Sequence, residues 1–290
     1  MAEFLQFTFS GITVGAIYAL VGLGFSIIYN ASQVINFAQG EFVMIGGLTT
    51  AVLEADGTPL PLAAAVAILA AVLAGLALER LAVEQAKGAS VATLIIITIG
   101  ASIFLRGLAQ VVFDRNYHSL RAFSGEHPIN VAGATIVPQT LWVLVTTLLI
   151  VLVLEWFFGR TLLGKAMLAT SYNRLAAQLV GIDARAVLLL SFGLSAMLGA
   201  IGGILIAPIS LTSYDVGVML GLKGFSAAVF GGMGNSKGAI AGGLILGILE
   251  ALGAGYVSSA YKDAIAFVII LLVLFVAPRG LFGRGGTEQV

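Results

Sequence analysis

The chain lacks cysteine, has two histidines among 290 residues, and is only 10% charged. The first absence excludes disulfides and any cysteine-based metal centre. His118 and His127 fall in one polar loop and form no His-x-x-x-His pair, so no zinc site is expected. Neither histidine lies in an apolar run, which leaves hydrolytic chemistry without a catalytic set. Soluble domains carry about 25% charged residues, so this composition also excludes an ordinary soluble domain. The formal net charge is zero, and nothing in it favours nucleic acid. Met1-Ala2-Glu3-Phe4 lacks the basic region of a signal peptide, so the first apolar run is expected to be retained.

What is present is apolar. Hydrophobic residues make up 59% of the chain, and the mean hydropathy is +1.07. Runs of ~20 apolar residues cross a bilayer as helices. The pattern predicts spans at 8–29, 60–78, 91–113, 139–158, 186–207 and 264–277. With the two interrupted regions below, about eight transmembrane helices are expected. The fold class is all-α, a polytopic integral membrane protein read as one domain over 1–290. Gly11 with Gly15 and Gly199 with Gly203 are spaced for close helix packing, and packing accounts for them.

Two regions break the pattern, one in each half. Residues 30–47 place Asn36, Gln39 and Glu41 inside apolar sequence, and the following run, 41–53, is too short to span alone. Residues 224–230 and 239–254 are two short apolar pieces flanking a glycine-rich elbow. Irregular backbone at membrane depth survives only when buried in protein or lining a cavity. Short, glycine-broken segments in both halves point to a transport path. The candidate path residues are Asn36, Gln39, Glu41, Gly231, Gly232, Gly234 and Asn235, in broken or re-entrant segments near 33–47 and 224–243. Glycines that only permit close packing are the competing explanation. Among the intramembrane acids Glu41, Glu155 and Glu250, packing and capping outweigh proton relay. Arg106 either faces protein or snorkels to the interface.

Orientation follows from lysine and arginine. The loops 79–90 and 159–185 and the tail 278–290 hold Arg80, Lys87, Arg160, Lys165, Arg174, Arg185, Arg279 and Arg284. The loop 114–138 holds Arg115 and Arg121 against Asp114 and Glu126, and reads as a solvated external surface. The basic set belongs in the cytoplasm with the C-terminus, and the N-terminus outside.

Within the basic loop 159–185 lies a short helix pattern. Ser171 or Asn173 can cap its start. Leu175, Leu179 and Val180 form an apolar stripe behind Arg174, and Gly181 can end it in a left-handed conformation. A two-turn helix does not hold itself together in water, so a soluble partner is expected to cover it. Gly159 to Lys165 mimics the start of a phosphate-binding loop, but Ala166 stands where Ser or Thr would ligate magnesium. No cofactor is expected on this chain.

Together these motifs resemble a known family. Ile35-Asn-Phe-Ala-Gln-Gly-Glu-Phe-Val-Met-Ile-Gly-Gly47 and the glycine-rich stretch Phe225–Gly247 are similar to the two signatures of LivH-type permeases of branched-chain amino acid ABC importers. Gly164 to Asp183 resembles their cytoplasmic coupling segment, and Tyr261-Lys-Asp263 and Pro278-Arg-Gly280 resemble the family's end. The resemblance implies a membrane subunit of the bacterial inner membrane, paired with a homologous LivM-like permease. It implies two ATPase subunits, which hold ATP and magnesium, and a periplasmic solute-binding protein. The coupling residues would be Gly164, Lys165, Ser171, Asn173, Arg174, Leu175, Leu179 and Gly181. Ser171-Tyr-Asn173 departs from the acidic residues common there. The alternative is a carrier or channel working alone on an ion gradient.

Overall fold

The computed structural model describes residues 2–283 apart from Lys87, Glu126 and Ala132. Lys87, Glu126 and Arg284, weighed above, lie outside the described residues. The helices in order are α1 Ala2–Ser32, α2 Gln39–Ala55, α3 Leu60–Leu78, α4 Val91–Phe113, α5 Pro138–Arg160, α6 Leu162–Tyr172, α7 Arg174–Leu179, α8 Ala184–Ile206, α9 Val216–Gly231, α10 Ser236–Tyr256 and α11 Lys262–Val276. Between α4 and α5 a small antiparallel hairpin, β1 Ile129–Val131 and β2 Ala134–Ile136, pairs Ile129 with Ile136.

The architecture is all-α because a bilayer offers the backbone no partners, so each span closes its own hydrogen bonds. Local signals fix where helices start. Ser90 Oγ accepts from Thr93 N at the head of α4, Asp183 accepts from Arg185 N and Ala186 N at the head of α8, and Pro138 opens α5. Among the described residues, seven helices are long and apolar enough to cross a membrane. These are α1, α3, α4, α5, α8, α10 and α11 with its preceding turn. Two shorter helices, α2 and α9, have 17 and 16 residues.

Three expectations shift. The first break is narrower than 30–47: the chain leaves α1 at Gln33, with φ +59°, and is helical again from Gln39. The second apolar piece after the elbow is no short segment, since α10 runs 21 residues. The basic loop is itself mostly helical, with α5 carried through Arg160 and α6 inserted before the expected short helix.

The core is built on α1 and α8. The apolar window of α1 is 89% buried, against 11% for α4. These two helices run antiparallel: Ile27 and Ala31 line a cleft with Ser191, while Gly202 faces Val21 and Ile17. Each of them carries the same neighbours in the same order. α1 is followed by a buried linker and the short α2, α8 by a second linker and the short α9. α3 packs on α8 through Gly75, against Ala196 and Phe192. α10 packs on α1 through Gly243 and Gly247, against Ala19 and Gly15. The three-helix unit is therefore present twice in opposite directions, an inverted repeat.

The axis of that repeat falls where α2 meets α9. A Cβ on Gly40 would land on the Gly217 carbonyl oxygen, and one on Gly217 would meet the Gly40 backbone in return. Any side chain at either position would force the two helix starts apart.

Four helices are tied by buried charge. Lys223 of α9 donates to Glu250 Oε1 of α10 at 2.7 Å and lies 2.6 Å from Asp263 Oδ1 of α11. Tyr18 of α1 donates to Glu250 Oε2 at 3.0 Å, with the lysine over its ring. Removing one partner of such a set leaves the others charged in a low dielectric, which costs about 3–5 kcal/mol. Lys223→Met should lower the thermal unfolding midpoint in detergent accordingly, and adding Glu250→Gln should recover part of the loss. An unchanged midpoint for Lys223→Met would contradict the tie.

Candidate functional site

The linker from Ser32 to Gln39 dives into the protein. Val34, Asn36 and Ala38 are buried. Its backbone polar groups are met by side chains, as irregular backbone at this depth requires. Asn36 Oδ1 accepts from Ala38 N at 3.1 Å, and Phe37 N donates to Thr98 Oγ1 at 3.2 Å. Gln39 then locks the start of α2 against the core. Its Nε2 donates to the Ser195 carbonyl at 3.1 Å, and its Oε1 accepts from the Ser195 hydroxyl. Gly24 of α1 leaves room for the amide, since a Cβ there would collide with it. Ser195 is the central residue of α8 and Ser102 the central residue of α4, so α2 begins near mid-depth. A helix of 17 residues reaches ~25 Å, enough to leave the membrane on one side only. From the reciprocal contact at Gly40 and Gly217, α9 begins at the same depth and runs to the other side.

Beside these two helix starts is a cavity of about 140 Å³, lined by Phe25, Phe37, Glu41, Ile99, Ser102, Arg106, Gly217, Val218, Gly221, Leu222 and Phe225. Glu41 is 1% exposed. The Ser102 hydroxyl donates to its Oε1 at 2.7 Å, and Arg106 Nε lies 3.8 Å from the same oxygen. Arg106 thus faces a protein carboxylate. The first turn of α2 also favours a carboxylate through the helix dipole.

Of the expected path residues, Glu41 lines this cavity, Gln39 spends its amide on α8, and Asn36 turns the linker. The other four lie elsewhere. Gly231, Gly232, Gly234 and Asn235 form the α9–α10 elbow at the end of the molecule that also holds Asn30, Ser171 and Arg279. There Asn30 Nδ2 donates to the Gly234 carbonyl at 2.8 Å, and Asn235 Oδ1 caps α10 at Gly238 N. The tail seals the elbow: Leu281 N and Phe282 N donate to the Phe230 and Gly231 carbonyls, and Asn235 Nδ2 to the Phe282 carbonyl. Gly232, with φ +101°, and Gly280, with φ +77°, let these strands of backbone touch.

The expected coupling residues share that end. Asn173 Oδ1 accepts from Ala176 N at 3.0 Å and caps α7, whereas the Ser171 hydroxyl donates back to Leu168 O within α6. Gly164 sits where a Cβ would strike the backbone of Phe157 and Phe158, so α6 folds closely onto the end of α5. Lys165 and Arg174 are exposed. On α7 only Ala177 is buried, while Leu175, Leu179 and the following Val180 are 74%, 88% and 78% exposed. Gly181 follows with φ +89°. Glu155 is exposed and pairs with Lys237 at 3.4 Å.

Sequence reading left Ser102 out of the site and left Arg106 undecided. The signal for both was Thr98, Ser102 and Arg106 at four-residue spacing, a polar stripe on one face of an otherwise apolar α4. The three aromatic lining residues had none, because they look like any membrane phenylalanine.

A family model described as branched-chain amino acid transport system, permease component, matches residues 7–274. The chain is 35% identical to the high-affinity branched-chain amino acid transport system permease protein LivH of Escherichia coli (strain K12), over 99% of this chain and 98% of that protein. It is 33% identical to BraD of Pseudomonas aeruginosa, a permease protein of the same description, over 99% and 98%. Among solved structures, PsaBC from Streptococcus pneumoniae in complex with Fab matches with a TM-score of 0.51 and 17% identity, covering 96% of this chain and 93% of that one. That likeness is one of fold alone.

Gln39 binds inside the protein on both ends of its amide, so its loss should act on folding. Gln39→Ala leaves a void and an unpaired Ser195 hydroxyl, a cost of about 2–4 kcal/mol. The expected result is a lower unfolding midpoint, with any transport defect following the folded fraction. A midpoint equal to wild type alongside lost transport would make Gln39 a path residue instead.

Proposed function

The chain belongs to the family of permease components of branched-chain amino acid transport systems, and on that membership we propose that it is one membrane subunit of an ATP-binding-cassette importer for branched-chain or related amino acids. A homologous LivM-like permease completes the path against the exposed apolar faces of helices such as α4. Two ATPase subunits dock on the cytoplasmic face and hold the ATP and magnesium. An extracytoplasmic binding protein delivers the solute. The whole chain acts as one permease domain in a bacterial inner membrane.

The orientation follows from charge. Arg80, Arg160, Lys165, Arg174, Arg185, Lys237 and Arg279 gather at the end that carries α6, α7 and the elbow, and all are exposed. Positive-inside distribution makes that end cytoplasmic, with the N-terminus and the β hairpin outside.

The observation that carries the reading is α7. It is six residues long and presents Leu175, Leu179 and Val180 almost bare. Burying a leucine fully contributes about 1.5–3 kcal/mol, so a partner covering this face gains several-fold more than the helix gains alone. A carrier working by itself has no use for such a surface at its basic end. ATP-driven closure of the partners moves α7. Asp183 joins that motion to α8, and α8 holds the start of α2 through Ser195, so the cavity opens to one side at a time.

Reconstitution with both ATPases and the second permease tests this. Leu175→Glu combined with Leu179→Glu should release the ATPases and cut leucine uptake at least about tenfold, with the unfolding free energy within about 0.5 kcal/mol of wild type, as for exposed positions. Gly181→Val meets no neighbour within 4 Å, so its effect is backbone strain of about 1–2 kcal/mol. It should lower solute-stimulated ATP hydrolysis while the complex stays assembled. Full ATPase retention and normal uptake in the double glutamate variant would contradict the assignment.

A further inference from the structure

The mid-depth cavity holds an ion pair, Glu41 with Arg106, whose hydrogen-bonding capacity is only partly used. Glu41 Oε1 takes the Ser102 hydroxyl, but Glu41 Oε2 is buried without a hydrogen-bond partner. Arg106 Nε is also buried without one, 3.8 Å from the carboxylate. Phe25, Phe37 and Phe225 also line it, with ring centroids 5.7 Å apart for the first and third and 5.6 Å for the second and third. The lining therefore combines charges of both signs with three aromatic rings.

We propose that this cavity is a subsite for a zwitterionic α-amino acid. Glu41 Oε2 accepts from the ammonium group, Arg106 donates to the carboxylate, and the three phenylalanines receive an aliphatic side chain. The assignment rests on the reading of the protein as an amino-acid permease and adds to it a binding role for this chain's own residues. Charge decides among solute classes. A cation would meet Glu41 and leave Arg106 uncompensated, an anion would do the reverse, and a neutral sugar would answer neither. A zwitterion enters with no net charge and meets both, which is the least costly way to fill a low-dielectric site holding two ions. The volume of about 140 Å³ suits a solute of few heavy atoms.

The absence of cysteine from the chain makes the test direct. Ile99→Cys places a thiol on the cavity wall, and Val111→Cys places one on the exposed face of α4 outside it. In the assembled importer, labelling of this chain by N-ethylmaleimide is followed by mass. Saturating L-leucine should slow labelling at Ile99→Cys at least about tenfold, as occupancy of a single site requires, and leave Val111→Cys unchanged. 3-Methylbutylamine and 4-methylpentanoate, which each carry half of the head group, should need about thirtyfold higher concentrations. Glu41→Gln and Arg106→Gln in the Ile99→Cys chain should each raise the leucine requirement about thirtyfold.

If the wild-type importer takes up leucine but leucine gives Ile99→Cys no protection, the subsite is overturned while the transport function stands. Equal protection by leucine and by either half molecule overturns it too, leaving an apolar cleft. If the wild-type importer takes up no aliphatic amino acid, the functional reading falls and the subsite with it.

Discussion

Two backbones touch near mid-depth, where Gly40 at the head of α2 meets Gly217 and Gly221 of α9. That contact sets the rest of the structure. Two helices that start there can each reach only one face, so the chain needs two linkers to bring it to the meeting point, the first of them largely buried. Linkers at this depth must be supplied with hydrogen bonds by the protein. Thr98, Ser195, Asn36 and Gln39 supply those of the first linker and of the head of α2. The Thr212 strand, bonded at both its N–H and carbonyl to His118, steadies the second. A side chain larger than hydrogen at Gly40 would part the helices and open the cavity wall.

The same contact links the basic end of the molecule to a cavity far from it. α7 is joined through Gly181 and the Asp183 cap to α8. The midpoint of α8 grips Gln39, and Gln39 is the residue before Gly40. On the other half, the elbow after α9 is held by Asn30 at the foot of α1 and by the tail. Both halves of the inverted repeat are thus fastened at the basic end and free to differ at mid-depth. The Lys223–Glu250–Asp263 cluster keeps α9, α10 and α11 together while they do so.

Composition made the membrane class legible, and the polar interruptions at Asn36, Gln39 and Glu41 located the first break. Asn173 and Gly181 were readable as the two ends of a short helix because cap chemistry is local. What sequence could not show was depth. α1 and α4 read alike as apolar runs, yet one is the buried axis and the other is mostly exposed, since lipid and protein interior select the same side chains. For the same reason the glycine-rich elbow looked like a partner of the first break. Its glycines serve a tight junction with the tail, and the true partner of α2 is the unremarked head of α9. Ser102 and Arg106 became site residues only when folding set α4 beside Glu41.

In the proposed mechanism the basic end drives a mid-depth cavity open to alternate sides. Leu222 lines that cavity, and a single Leu222→Cys in the assembled importer reports which side reaches it. A membrane-impermeant thiol reagent applied from each face, with and without nucleotide that traps the ATPases closed, is the direct measurement. Trapping should move reactivity from one face to the other. Reactivity from the same face in both states would contradict it.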